Sequence, residues 1–353
     1  MTSFNGVLCE FCWQVPFNIK VLNRKPSHLP YRWDLGTASR IRKSDCPFCR
    51  LASVVLYHTA RTTGEPGIKG CSRVSLLWTS YGLASDLGSF QLHCARPSVA
   101  DIRIGFVGSP LASSVASMDS SVEDLELPVE TPGGYLVPNC GEQVDFDRVS
   151  TWVAKCVSAH GDFCNIPTHV LSGNAISNHI SESYPGLKTF RLIDVDQECI
   201  IETTTTCRYV TLSYLWGNAA NLRLTTVNFS SLLQPKALQK YTSLVPRTIQ
   251  DAITFVRAIG ERYLWCDALC LVQNDPEDVG NGVKAMDLIY ENALLTIVAA
   301  CGHDANAGLL GVSPGTRLAT TETAEVAPGV KLGYYIGLDE YLKRLPYSSR
   351  AWT

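Results

Sequence analysis

The chain has 353 residues, 46% of them apolar and 18% charged, a composition that can bury the cores of two domains. Its formal net charge of −3 provides no basic surface for phosphate or anionic lipid, which argues against nucleic acid and membrane surfaces as partners. No run of about 18 apolar residues lacks charge or proline, and the amino terminus has no leader pattern. We therefore expect a soluble cytoplasmic protein without a membrane span, whose fourteen cysteines are mostly reduced.

Two Cys-x-x-Cys pairs, Cys9 with Cys12 and Cys46 with Cys49, lie near the amino terminus with 33 residues between the pairs. Four thiolates suit the tetrahedral coordination of zinc, and a reducing compartment favours a metal over disulfides. The pairs therefore predict a structural zinc site without an open catalytic position. Because their separation exceeds the usual zinc-ribbon spacing, four buried reduced cysteines remain the alternative.

Three short runs of alternating apolar residues, Arg73–Trp78, Phe90–His93 and Asp101–Phe106, predict strands of a small antiparallel sheet. The stretch from 108 to 145 collects serine, proline, glycine and acidic residues without periodicity, which is typical of a linker or long loop. Residues 1–107 are therefore predicted to form a Cys-rich module with short strands.

Residues 146–206 are predicted to form a helical connector and a strand that leads into the second domain. Within them, Phe146–His160 repeats apolar residues every three or four positions, which predicts one apolar helical face. Cys156, His160 and Cys164 recur every four residues. They suit either a metal or, because no fourth ligand is evident, a core cluster.

From residue 207 the pattern alternates between strand and helix, which implies βαβ units and a parallel sheet flanked by helices. Leu294–Ala300 is apolar on both faces, as expected of a central strand covered on each side. Thr248 is predicted to cap the first helix and Gly260 to end it in the left-handed conformation. The predicted elements are Tyr209–Tyr214, Thr248–Ile259, Tyr263–Asp267, Val283–Glu291 and Leu294–Ala300.

Polar and aromatic groups follow the first two of these strands, at the sheet edge where open α/β folds bind ligands. They predict a crevice that could bind a sugar hydroxyl or an amide. The alternative is a buried strand with a turn, helix caps at Asp267 and Asp275, and a core cysteine at 270. The sequence contains no Gly-x-Ser-x-Gly elbow between a predicted strand and a predicted helix, which argues against a Ser–His–Asp hydrolase. The crevice candidates are Ser213, Tyr214, Trp216, Gly217, Asp267, Cys270, Gln273 and Asp275.

The stretch from Arg208 to Thr353 resembles the heterokaryon incompatibility (HET) domain of fungi. The resemblance rests on segments in matching order: YVTLSYLWG, LVPRTIQDAITFVRAIGERYLWCDALCLVQNDPED, MDLIYENALLTIVAACGHDANAGLLGV and SSRAWT. Agreement of several unrelated segments is more specific than any one short motif. The preceding part resembles the leader of many HET proteins, with paired cysteines, a WxxxC helix and RLIDV at Arg191–Val195.

The resemblance implies a module that triggers regulated cell death when genetically unlike fungal cells fuse, acting through a protein partner or through self-association. HET domains also resemble TIR domains, which implies a TIR/flavodoxin-like sheet. Because some TIR domains cleave NAD to nicotinamide and ADP-ribose, the resemblance offers an NAD glycohydrolase as the alternative function. NAD would then be a substrate in the crevice formed by Ser213–Gly217 and Asp267–Asp275.

The sequence departs from the family pattern at the catalytic carboxylate. Many HET and TIR domains carry Trp-x-x-Glu on the helix after the second-strand loop, and alignment on Met286 places Val279 and Gly282 there. Glu277 and Asp278 lie one turn away, at a helix start where acids complement the helix dipole. We therefore expect weak or no catalysis, with these two acids as the remaining catalytic candidates.

The predicted division is thus a Cys-rich module (1–107), a linker (108–145), a connector (146–206) and a HET domain (207–353). HET domains usually continue beyond the RAWT-like element with further helical sequence. We therefore expect this HET domain to be truncated at its carboxyl end.

Overall fold

A computed structural model of the chain divides into two compact units, Met1–Cys140 with Ala319–Lys343 and Gly141–Leu318 with Arg344–Thr353. The four-segment division made from the sequence stays a prediction, and most of its linker lies outside the described residues. The structure describes residues 8–17, 32–63, 73–80, 88–94, 102–108, 136–138, 141–159, 180–184, 186–187, 189–204, 207–218, 221–317, 322–336, 342 and 345–349.

The first unit is built on a mainly antiparallel sheet, which the described residues form in the order β1-β2-β3-β4-β12-β11 with β5 beside β4. The predicted antiparallel strands are present as β2, β3 and β4. The hairpin of β11 and β12 was not predicted, although alternation in TAEVA and a Pro-Gly turn with Gly329 at φ +74° are hairpin signals. The strands are β1 (Arg32–Gly36), β2 (Val74–Ser80), β3 (Gly88–Cys94), β4 (Ile102–Gly108), β5 (Leu136–Pro138), β11 (Thr323–Ala327) and β12 (Val330–Ile336).

Two helices and a short 3-10 helix complete the first unit. Helix α1 (Ala38–Arg42) follows β1 directly, helix α2 (Pro47–Thr63) packs on β3, β11 and β12, and the 3-10 helix spans Cys12–Gln14. Phe48 of α2 and Phe90 of β3 are fully buried. The core of the first unit therefore lies between α2 and the sheet.

The second unit contains a five-stranded sheet in the order β10-β8-β9-β6-β7. Its strands β8, β9 and β10 are parallel, whereas β6 pairs antiparallel with both β9 and β7. The predicted mixed α/β class is confirmed, but the parallel part comprises three strands beside an antiparallel hairpin. The strands are β6 (Phe190–Asp194), β7 (Cys199–Thr203), β8 (Val210–Ser213), β9 (Tyr263–Trp265) and β10 (Leu295–Val298).

The expected central position of the strand around Leu294–Ala300 is wrong, because β10 lies at an edge of the sheet that the described residues form. Its residues alternate between partly buried and exposed, and Val298 is 39% exposed. Strand β8 lies between β10 and β9, and all four of its residues are buried. A short apolar run shows that a strand packs well but does not reveal its place in the sheet.

The helix predicted over Thr248–Ile259 is present as α7 (Arg247–Ala258), whereas the helix predicted over Val283–Glu291 is divided into α9 (Pro276–Lys284) and α10 (Met286–Glu291). Gly260 has φ +82° after α7, which confirms the left-handed end. The predicted cap is wrong: α7 begins after Pro246, and the hydroxyl of buried Thr248 accepts the backbone N–H of Gly308 at 3.0 Å. The helices are α3 (Phe146–Ala159), α4 (Ile180–Ser183), α5 (Phe229–Leu232), α6 (Ala237–Lys240), α7 (Arg247–Ala258), α8 (Asp267–Cys270), α9 (Pro276–Lys284), α10 (Met286–Glu291) and a 3-10 turn at Pro346–Ser349.

Helix α3 confirms the helix predicted over Phe146–His160, with His160 itself outside the described residues. Its apolar residues are not fully buried, and Trp152 is 51% exposed. Among the helices of the described residues, none has the length and apolarity that crossing a membrane requires.

Candidate functional site

The carboxyl ends of the three parallel strands meet at one edge of the second sheet. Val210 and Thr211 of β8 pair with Leu264 and Trp265 of β9, and Val298 of β10 pairs with Ser213. The loops after these strands therefore share this edge, which brings the two predicted crevice segments together.

Trp216 and Asp267 connect the loops after β8 and β9 directly. The indole Nε1 of Trp216 donates to both carboxylate oxygens of Asp267, each at 3.1 Å. The backbone N–H of Ala268 donates to Asp267 Oδ1 at 2.8 Å. On the other side, the guanidinium of Arg223 lies 4.8 Å from the centroid of the Trp216 ring, a cation–π distance. The carboxylate therefore fixes the aromatic ring at the strand ends.

Gln273 and Asp275 both bond within the loop that follows β9. The side-chain amide of Gln273 donates to the carbonyl oxygens of Asp267 at 2.9 Å and Leu271 at 3.0 Å. The Asp275 carboxylate caps α9 by accepting the N–H groups of Glu277 at 3.0 Å and Asp278 at 3.3 Å. Asp275 thus acts as the helix cap foreseen in the alternative interpretation.

A third loop, which follows β10, lies against Gly217. Gly217 has φ +59°, and a Cβ there would lie 2.4 Å from Cβ and 2.8 Å from Cα of Asp304. The backbone N–H of Ala305 also donates to the carbonyl oxygen of Trp216 at 3.2 Å. The glycine is therefore required for the close approach of the two loops. Sequence reasoning missed Asp304 and Arg223, although GHDANAG directly after a strand is a loop signal.

Three predicted crevice residues lie in the core. Ser213 is 8% exposed, and Tyr214 and Cys270 are each 1% exposed. Burial raises the pKa of Tyr214, whose hydroxyl lies 3.7 Å from Cys266 Sγ. Burial also raises the pKa of the Cys270 thiol, to about 12, so this cysteine fills space and is not a reactive thiolate.

The two catalytic candidates differ in environment. Both oxygens of Asp278 accept hydrogen bonds from Arg191 Nη1, at 2.8 and 2.9 Å, and Oδ2 accepts the N–H of Val272 at 2.7 Å. The side chains of this ion pair are only 18% and 11% exposed, for Asp278 and Arg191 respectively. Glu277 is exposed at the start of α9. Asp278 therefore holds the start of α9 against β6.

The helix position expected to carry a glutamate holds Gly282 packed against Leu271. A Cβ at Gly282 would lie 2.3 Å from Cδ2 and 2.8 Å from Cδ1 of Leu271. Gly282 is buried and Leu271 is 5% exposed. A side chain at position 282 would therefore require the Leu271 side chain to move within a filled core.

An apolar cavity of about 240 Å³ lies beside the carboxyl end of β10. Phe255, Val298, Cys301 and Leu310 contribute to its lining, whereas none of the predicted crevice residues does. The polar strand ends and this cavity are therefore separate features of the second unit.

The first unit contains the four-cysteine cluster. The sulfur atoms of Cys9, Cys12, Cys46 and Cys49 lie within 4.8 Å of one another, which allows them to bind a metal ion. Cys49 Sγ lies 3.7 Å from Cys9 Sγ and 3.5 Å from Cys12 Sγ. At a zinc–sulfur distance of about 2.3 Å, the edges of a sulfur tetrahedron measure about 3.8 Å. The donor set therefore fits a tetrahedral metal.

Hydrogen bonds between the thiols of this cluster shift their pKa values in opposite directions. A hydrogen bond with Cys12 lowers the pKa of the Cys46 thiol, and the same contact raises the pKa of the Cys12 thiol. None of the four cysteines forms a disulfide. Among the described residues this is the single group of metal-ligating side chains close enough to hold an ion. In the second predicted cluster, Cys156 is partly buried, and His160 and Cys164 lie outside the described residues.

Comparison with known proteins bears on the second unit and part of the first. No curated protein and no solved structure was found to match the chain. The family model described as heterokaryon incompatibility protein (HET) matches residues 209–353. This match covers the strands β8, β9 and β10 and the loops that meet at their carboxyl ends. Residues 209–353 are therefore a HET domain.

Proposed function

We propose that this protein is a signalling module of fungal self/non-self recognition that triggers regulated cell death from the cytoplasm, with weak or no catalysis. Its trigger is a protein partner or self-association through the HET domain. The proposal is supported by the HET match over residues 209–353. It is also supported by the hydrogen bonds that the side chains at the strand ends form within the domain. Trp216, Asp267 and Gln273 bond to one another or to the loop backbone.

The proposal rests mainly on Gly282, which occupies the helix position where a catalytic glutamate was expected. Cleavage of the bond between nicotinamide and ribose passes through a cationic sugar, which a nearby carboxylate stabilises. Glycine supplies no carboxylate, and Leu271 fills the space that a longer side chain would need. The nearest acid in the helix start, Asp278, is held by Arg191. A domain without this carboxylate would signal by binding a partner or a second copy of itself and not by cleaving NAD.

The proposed TIR/flavodoxin-like arrangement is supported by strand order. Read along the sheet as β9-β8-β10, the parallel strands follow the order second, first, third, as at the start of flavodoxin-like sheets. In such sheets ligands bind beyond the carboxyl ends of the strands, which is where the loops after β8, β9 and β10 meet in this unit. An NAD-cleaving enzyme is therefore the second candidate function, with NAD in the crevice formed by Ser213–Gly217 and Asp267–Asp275.

An assay of nicotinamide release separates the two functions. Purified full-length protein is incubated with NAD at high protein concentration, and no release is expected. A double variant, Gly282→Glu with Leu271→Ala, provides both the carboxylate and the space for it. If the double variant releases nicotinamide and the natural protein does not, the natural protein is a non-catalytic module whose fold can accommodate NAD. Release by the natural sequence that is lost in Asp267→Ala refutes the non-catalytic proposal.

Cell death is tested by inducible expression in a fungal host, with the protein fused to a chemically dimerised domain. Induced dimerisation is expected to reduce viability while cellular NAD stays constant. Gly217→Ala, which forces apart the loops after β8 and β10, should abolish the effect, whereas the exposed Glu277→Ala should retain it. Survival of cells that contain the natural, dimerised protein would contradict the proposal.

We also propose that Cys9, Cys12, Cys46 and Cys49 hold a structural zinc ion. Zinc would supply a cross-link between the segment around the 3-10 helix and the start of α2, since these carry one Cys-x-x-Cys pair each. One zinc per chain is expected in protein purified under reducing conditions, and Cys12→Ser should lose it. Metal content near zero in the natural protein would refute the site.

A further inference from the structure

The guanidinium of Arg40 contacts the cysteine cluster directly. Its Nη1 donates to Cys9 Sγ and its Nη2 to Cys49 Sγ, both at 3.5 Å. Its Nε donates to the carbonyl oxygen of Leu35 at 2.9 Å, and Nη2 donates to the same oxygen. All three nitrogens of the guanidinium therefore have partners, and two of these partners are ligand sulfurs.

Local structure holds this guanidinium in one place. Strand β1 ends at Gly36, which has φ +77°, and the side chain of Thr37 then caps α1 by accepting the N–H of Arg40 at 3.2 Å. The ring of Phe11 lies 4.1 Å from the guanidinium. A Cβ on Gly36 would lie 2.8 Å from Arg40 Nε. The residues of the turn between β1 and α1 therefore hold the Arg40 guanidinium in place.

The charge of the cluster explains what Arg40 does there. A protonated thiol is a weak acceptor, so two neutral thiols would stabilise a partly buried guanidinium little. Four thiolates around a divalent ion carry a formal charge of about −2, and each sulfur then accepts a charge-assisted hydrogen bond. Contacts of this kind orient metal ligands and strengthen metal binding. The position of Arg40 therefore suits the metal-bound state of the cluster.

We propose that Arg40 is the positioning residue of this metal centre, an inference that rests on the proposed zinc site. It orients the Cys9 and Cys49 thiolates towards the ion and offsets part of their charge, and so sets the affinity for the metal. Arg40 does not bind the metal itself, because its guanidinium has no acceptor atom to offer as a ligand.

Zinc affinity of the full-length protein, measured by competition with a chromogenic chelator, tests the proposal. Arg40→Ala is expected to weaken zinc binding by about 10- to 100-fold, the usual effect of losing an outer partner of a metal ligand. Arg40→Lys keeps the charge but loses the forked geometry, so an intermediate loss is expected. The matched control is Arg42→Ala, which removes an exposed arginine from the same helix and should leave the affinity unchanged.

Substitution with Co²⁺ supplies a readout that a purely structural role would not move. Hydrogen bonds to thiolates shift the sulfur-to-cobalt charge-transfer absorption, so both Arg40 variants should show a shifted band while Arg42→Ala matches the natural protein. Natural protein that binds neither metal refutes the zinc site and this inference together. Tight zinc binding with unchanged affinity and unchanged cobalt bands in Arg40→Lys and Arg40→Ala overturns the role of Arg40 and leaves the zinc site standing.

Discussion

Gly280 and Gly282 lie two residues apart in helix α9, yet alanine should have opposite effects at the two positions. A Cβ at Gly280 would meet nothing within 4 Å, whereas one at Gly282 would lie 2.3 Å from Leu271 Cδ2. Neither glycine has a positive φ, so alanine can adopt the backbone conformation at both. The pair therefore separates helix propensity from packing.

The expected magnitudes follow from these contacts. Replacing glycine by alanine inside a helix gains about 0.5–1 kcal/mol in the free energy of unfolding, and Gly280→Ala should show this gain. Gly282→Ala has the same gain but must displace Leu271 in a filled core, which costs about 1–3 kcal/mol. We expect a net loss of about 1 kcal/mol at Gly282. The difference between the two variants should be about 1–3 kcal/mol.

The assay is equilibrium urea unfolding of the natural protein, both single variants and their counterparts in a Leu271→Ala background. Truncating Leu271 removes the obstructing methyl groups, so Gly282→Ala should become stabilising there, while the effect of Gly280→Ala should not change. If Gly282→Ala is as stable as Gly280→Ala in the natural background, Leu271 does not block this position. Position 282 would then have room for a glutamate.

Other predictions concern the strand ends and the acid stability of the second unit. Trp216→Phe removes the indole bond to the Asp267 carboxylate and should lower the free energy of unfolding by about 1.5–3 kcal/mol, measured by urea unfolding. Gly217→Ala should lower the melting temperature more than Gly260→Ala does, because only at Gly217 does the added Cβ meet the facing backbone. Burial acts to raise the pKa of Asp194, but bonds from Arg262 at 2.8 and 3.0 Å and from the backbone lower it overall. This carboxylate therefore stabilises the fold above its unfolded pKa of about 3.9, and the contribution is lost as the pH falls through the folded value. Asp194→Asn should flatten the acid side of the stability profile, and an unchanged profile would contradict this assignment.

Local sequence patterns predicted the elements around the strand ends well. The strand that ends at Ser213, the strand before Asp267 and the helix before Gly260 occur within a residue or two of their predicted bounds. These elements have strong periodicity and clear end signals, which depend on neighbouring residues in the chain. The sequence also predicted that two Cys-x-x-Cys pairs form one cluster, because the pairing reflects a shared chemical preference for metal.

Positions within the sheets could not be predicted in this way. The run LTIV was expected in the centre of a sheet and forms an edge, because the same apolar sequence can pack in either place. Likewise, β11 and β12 come from late in the chain, and β12 pairs with β4, which lies far earlier in the sequence. Such pairing depends on register and surface complementarity between distant segments, which composition does not encode locally.

The sequence by itself determined that the chain carries a HET domain with polar groups after two parallel strands and glycine where a glutamate was expected. Only the tertiary structure decided how these groups are used. Asp267 holds Trp216, Arg191 holds Asp278, and Leu271 fills the space beside Gly282. The physical reason is that hydrogen bonds and packing join residues far apart in sequence, so the partner of a side chain becomes known only when the chain has folded.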